Sequence, residues 1–209
     1  MNEYLNPMEK IALACESAKV AKTFTTREEG IGEDLSYNII SWHETQLTAI
    51  AQLHYQLIGA DDRLTRVMEA IKALRLGYCA DAVTFVAEGY CAIDPDKVDL
   101  SVPLRHQFVS NRNVAECLTV THVEVDSVKV LAIPYTYEVG RRVRFDDPLM
   151  YPEGQATSDF VASIQDVLTL EPDRQFTDDA FWRDSVAEEV GTWGFHVHHD
   201  MSELNSDDY

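Results

Sequence analysis

Two runs of strand-forming residues, Val114 to Val125 and Val128 to Val139, follow one another with only Asp126-Ser127 between them. Each run is long, and rich in β-branched and aromatic side chains that suit a pleated surface. With so short a link, their backbone groups are most directly satisfied by folding onto each other as an antiparallel hairpin. Gly140 then separates the second run from Arg141 to Phe145, so the hairpin extends into a meander. Both faces of Val128 to Val139 are largely apolar, which predicts a central strand covered on each side. Pro134 removes a ladder donor from that strand, and a bulge is expected there.

Around this block the spacing changes from two to about 3.6. Asn6-Pro7 reads as a helix start, with Asn6 as the cap and Pro7 lacking only an N–H that would be unpaired anyway. Met8, Ile11, Ala12, Cys15 and Ala18 then make an apolar stripe up to about Thr23, and Thr25 to Glu33 reads as a loop. Tyr37 to Trp42 reads as a strand. Residues 46–58 fit a helical face and a strand alternation equally, and their length tips the reading toward helix. After Asp61 or Asp62 as cap, Leu64, Val67, Met68, Ile71 and Leu74 form one face of an amphipathic helix, with Gly77 closing it in a left-handed conformation. Asp81 to Ile93 is a further strand. Ser158 and Thr177 each cap a helix near the C-terminus, the first carrying Phe160, Val161, Ile164, Val167 and Leu168, the second Trp182, Val186 and Val190.

The fold expected is therefore α+β: a largely antiparallel sheet of three to five strands, with helices packed on it and a helical C-terminal region. Its 209 residues suit a single domain over 1–200, with 201–209 as a flexible acidic tail. There are 36 Asp and Glu against 17 Lys and Arg, a formal net charge of −19. Such a field repels phosphate backbones and anionic lipid headgroups, so direct nucleic-acid binding and membrane association are not expected. No run of about 18 apolar residues occurs, and Met1 to Lys10 has no signal-like apolar core, which points to the cytoplasm. Cys15, Cys79, Cys91 and Cys117 form no CxxC pair and read as free, buried thiols.

Three groups of residues could carry chemistry. His196, His198, His199 and Asp200 combine imidazole and carboxylate, the ligands of zinc, nickel or copper, and in a strand His196 and His198 would share a face. Otherwise they are a solvated turn beside the tail. Glu88, Glu116 and His122 lie on expected strands, with Glu116, His122 and Glu124 at one parity. If the strands pair, Glu88 and Glu116 could approach and split their pKa values as catalytic carboxylates do; otherwise they form the wet face of a sheet. Arg141, Arg142 and Arg144 gather three guanidiniums in four positions, enough for a small anion site, or for ion pairs with acids such as Asp146 and Asp147. Arg105, His106 and Arg112 could join them if the preceding loop folds over the hairpin. No Walker A loop, GxGxxG or GxSxG is present, and Asp94, Asp96 and Asp99 lack the glycine and terminal Glu of an EF-hand.

In Glu88-Gly89-Tyr90 followed by a loop and Arg112 to Glu116, the middle third is similar to small bacterial and phage proteins with a Glu-aromatic strand end and an Arg-x-x-x-Glu strand. The similarity implies no particular activity. Charge and the lack of a catalytic signature point to a non-enzymatic acidic protein that binds and modulates, or inhibits, a basic macromolecule, presenting a nucleic-acid-like surface to a protein partner. The alternative is a metal-dependent hydrolase or nucleotide-processing enzyme using the carboxylates and C-terminal histidines, with a divalent metal as its one cofactor.

Overall fold

The structure, a computed structural model, describes residues 6–28, 30, 38–44, 46–53, 63–151, 159–171, 180–192 and 194–198. The expected caps Asp61, Asp62, Ser158 and Thr177, the residues His199 and Asp200, and the segment 201–209 lie outside the described residues.

Helix α1 spans Pro7–Glu28. Asn6 Oδ1 accepts the N–H groups of Met8 (2.9 Å) and Glu9 (3.1 Å), while Glu9 Oε2 accepts the Asn6 N–H at 2.6 Å. This reciprocal box satisfies donors that the first turn cannot. The helix runs past Thr23 into the stretch expected as a loop, because its inward stripe continues in polar residues. Ile11, Ala14, Cys15 and Ala18 are followed on the same side by buried Lys22 and Thr26. Met8 and Ala12, expected on that stripe, are exposed.

Strands β1 (Asn38–His43) and β2 (Gln46–Leu53) pair antiparallel, with a register shift between Ser41 and Trp42. The first half of the ambiguous 46–58 segment is thus a strand, against the lean of its length. Ala49, Ala51 and Leu53 are buried on one face, while β1 supplies a ladder that a helix could not use. Helix α2 follows at Arg63–Tyr78. Gly77 lies inside it, and the left-handed residue that closes it is Cys79 (φ 53°).

Strands β3 (Ala82–Ala92) and β4 (Val114–Glu124) pair along their whole length, joined by a connection that includes the short helix α3 (Leu104–Gln107). Strand β5 (Val128–Glu138) pairs with β4 on one side, and on the other with β6 (Arg142–Phe145) and then β7 (Leu149–Met150). No bulge forms at Pro134, which faces Cys117 in unbroken register. Its carbonyl accepts the Asp146 N–H, so the edge of β5 on which its missing N–H falls is where β6 gives way to β7. The proline sits at a gap that needs no donor.

Helices α4 (Asp159–Leu168) and α5 (Ala180–Thr192) lead to a further strand, β8 (Phe195–His198), which pairs antiparallel with β2. The C-terminal region is therefore not all helical. Among the described residues the sheet has eight strands in place of the expected three to five, in the order β6-β5-β4-β3-β1-β2-β8, with β7 also on β5. The additional strands come from β2, β7 and β8, all short or ambiguous in sequence.

Helix α1 covers one face, where Ile11, Ala14, Cys15 and Ala18 meet Ile40, Trp42, Val86, Leu118 and Ile133. Small residues at positions 14, 15 and 18 let the helix lie close to the strands. The opposite face is covered by α2, α4 and α5, through Val67, Ile71, Leu74, Ile164, Leu168, Val186 and Val190 packed against Ile39, Ala51, Leu53 and Val83. Where α2 meets α5, a Cβ added at Gly77 would stand 2.6 Å from Val186 Cγ2, so glycine is required there for room. No helix among the described residues is long and apolar enough to cross a membrane.

Candidate functional site

The face beneath α1 carries a line of polar residues through an apolar core. At its centre Lys22 is fully buried, with Nζ 2.5 Å from Glu88 Oε1. The Tyr135 hydroxyl donates to the same oxygen at 3.3 Å, and the ammonium lies over the rings of Tyr135 (5.3 Å) and Tyr137 (5.6 Å). Burial works against the Lys22 charge, but the Glu88 hydrogen bond and charge, with help from Tyr137, outweigh it and raise the pKa. Burial, and next the Glu88 charge, push the Tyr135 phenol upward, so it stays protonated. The cluster is one ion pair held against the rings of Tyr135 and Tyr137.

Toward the start of α1 a second chain of hydrogen bonds is buried. Trp42 Nε1–H donates to Thr84 Oγ1 at 2.9 Å, and Thr84 Oγ1 lies 2.8 Å from His122 Nδ1. Glu124 Oε1, which can only accept, lies 3.4 Å from His122 Nε2; with the ring proton on that nitrogen, Nδ1 accepts from the Thr84 hydroxyl. Ser127 Oγ donates to the other Glu124 oxygen at 2.7 Å. Burial lowers the His122 pKa, against the Glu124 charge, so the ring is neutral. Glu124 is lowered although burial opposes it, because Ser127 and His122 hold its charged form. Lys10 Nζ donates to the Glu44 carbonyl at 2.6 Å and sits 5.7 Å from the Trp42 ring. The sequence hydroxyl, imidazole, carboxylate is one used in nucleophilic catalysis. Here Thr84 and His122 have no exposed surface, and the hydroxyl is held from both sides.

The expected trio of Glu88, Glu116 and His122 is therefore divided. Pairing of β3 with β4 sets Glu88 opposite Leu118 and Tyr90 opposite Glu116, which makes the two carboxylates diagonal neighbours on one face. His122 lies opposite Thr84, in the other cluster. His196 and His198 do share a face of β8, with ring centroids 4.3 Å apart. Among the described residues no group of three His, Cys, Asp or Glu is placed to hold a metal ion. Cys15, Cys91 and Cys117 are buried free thiols, while Cys79 is half-buried. Cys91 and Cys117 pack with Ala132 beneath Leu149 and Tyr151.

The three arginines converge, and a fourth joins them. Arg141, Arg142 and Arg144 line a groove of about 570 Å³ with Arg27, Thr23, Glu138, Gly140 and Val143. Gly140 (φ 82°) and Arg141 (φ 58°) turn the chain tightly between β5 and β6, and Arg141 Nη1 donates to the Arg27 carbonyl at 3.4 Å. Arg105 and Arg112 lie on the β3–β4 connection and do not line the groove; Arg105 Nε donates to His106 Nε2 at 3.2 Å. Arg27 escapes a reading of sequence that ends α1 near Thr23; following the stripe Ala18, Lys22, Thr26 would have carried the helix to it.

Charge is distributed unevenly along the chain. Residues 152–209 hold fourteen Asp and Glu against two Arg, whereas residues 82–151 hold ten against seven Lys and Arg. Asp166 on α4, Glu171 after it, and Asp184, Glu188 and Glu189 on α5 are all exposed. Comparison with protein-family models, with curated proteins and with solved structures finds no match to this chain.

Proposed function

We propose that the chain is a non-enzymatic interaction protein whose carboxylate-rich helical side binds a basic macromolecular partner and modulates it. The observation that carries this reading is the gathering of acid in the last quarter of the chain, with exposed carboxylates on α4 and α5. Four such charges on α4 and α5, with Glu171 just beyond α4, produce a field that draws a cationic surface and accelerates its association. The partner that fits is a protein surface rich in Lys and Arg, of the kind that otherwise binds phosphate backbones. The hydrolytic alternative has less support, since Glu88 and His122 are engaged by Lys22 and Thr84 away from solvent.

The test is retrieval of partners from cell extract by the full chain at about 0.05 M and about 0.5 M salt, beside an Asp184→Lys/Glu188→Lys/Glu189→Lys variant. A basic protein held at low salt, released at high salt and lost by the variant is expected. Recovery that ignores both salt and the charge reversal excludes the electrostatic reading.

A further inference from the structure

We propose that the groove between the C-terminal end of α1 and the β5–β6 hairpin binds a small polyphosphate anion, a molecule carrying two or more linked phosphates. Arg27, Arg141, Arg142 and Arg144 line this groove, and among the described residues Glu138 is the single carboxylate lining it. Four of eleven arginines thus surround one cavity in a chain of net charge −19. Guanidiniums that line one groove repel one another, and an anion between them offsets that repulsion and takes up paired N–H donors.

These arginines are only lightly engaged by acids. Arg142 stands opposite Glu138 in the β5–β6 ladder, yet the two form no ion pair. Arg144 reaches Asp146 at 3.8 Å, and Arg27 reaches only its neighbour Glu28, at 3.4 Å. All four guanidiniums are on exposed residues. Their frame is fixed nevertheless, by the left-handed turn at Gly140 and Arg141 and by the Arg141 hydrogen bond to α1. Arg142 and Arg144 are two apart on β6 and so project from the same face. The C-terminal pole of α1, worth about half a negative charge, opposes an anion, but one of its last carbonyls, that of Arg27, accepts the Arg141 donor.

Size and charge select the ligand class. A groove of about 570 Å³ falls in the range of sites for whole small molecules, and a single orthophosphate would leave most of it empty. Among the described residues the lining carries four arginines against one glutamate, a surplus of three positive charges that suits a diphosphate or triphosphate group. A long polyanion is disfavoured, because beyond one Debye length of about 8 Å it would have to follow the surface of a strongly acidic chain. The groove lies on the α1 face, opposite to α4 and α5, so its function is independent of the partner surface described above.

Titration calorimetry of the full chain with inorganic pyrophosphate and triphosphate, at about 0.05 M salt, tests this. Saturable one-to-one binding is expected. Arg142→Ala and Arg144→Ala should each weaken it about tenfold with unchanged melting temperature, and Arg142→Lys should recover only part of the loss. Absence of saturable binding to either probe overturns the proposal. So does undiminished binding by an Arg142→Ala/Arg144→Ala variant, or tighter binding of heparin than of triphosphate.

Discussion

Lys22 is the residue on which the α1 face turns. A buried ion pair adds little net stability compared with apolar residues of the same size, because desolvation offsets the attraction. Breaking one is different, since the surviving partner stays charged in the core. Replacing Lys22 by Met leaves Glu88 facing the Tyr135 hydroxyl without its cation, and should cost about 3–5 kcal/mol, read as a lower urea midpoint. Lys22→Met/Glu88→Met should return to within about 1 kcal/mol of the parent. If the double variant is as unstable as the single one, the pair is not what is being lost. Parity alone placed Glu116, His122 and Glu124 on one face, and the structure agrees. Their partners were not legible: Lys22 and Thr84 come from distant parts of the chain, and a lysine on an apolar stripe reads as its end. The arginine cluster could be seen because local sequence supplies three of its four members.

Among the elements, the long ones were legible and the short ones were not. The β4–β5 hairpin, the third strand and the amphipathic α2 follow directly from run length and period. β2 was ambiguous because its alternating Ala49, Ala51 and Leu53 share the segment with a helical pattern, and only its neighbour β1 decides. Pro134 suggested a bulge because the sequence does not show that two different strands divide that edge of β5. Gly77 looked like a helix stop, whereas its role belongs to the α2–α5 contact. Gly77→Ala should force these helices apart and cost about 1–3 kcal/mol by thermal or urea unfolding. Adding Val186→Ala should recover much of that loss by clearing the colliding methyl groups. A Gly77→Ala protein as stable as the parent would mean that α5 is not held against α2 in this way.

At the scale of the whole molecule, the described residues carry 22 Asp and Glu against 16 Lys and Arg, so most of the surplus acid belongs to the remaining residues. Composition gives the total but not this division, and it hides the opposition between the arginine groove and the acidic helices. The sheet likewise depends on a pairing that no local pattern shows, since β2 receives its outer neighbour from β8. Residues Phe195–His198 cover backbone groups that would otherwise form a bare edge beside the core. A chain ending at Gly191 should therefore elute as larger species than the full chain in size-exclusion chromatography with light scattering. The same elution for both would show that β8 is dispensable as a cover.

That pairing also sets an order of events in the cell. A ribosome releases Leu53 long before Phe195, and at roughly 5–20 residues per second the interval lasts roughly 7 to 28 seconds. Until Phe195 emerges, the edge of β2 has no outer strand from its own chain, and a neighbouring copy on the same message could pair there instead.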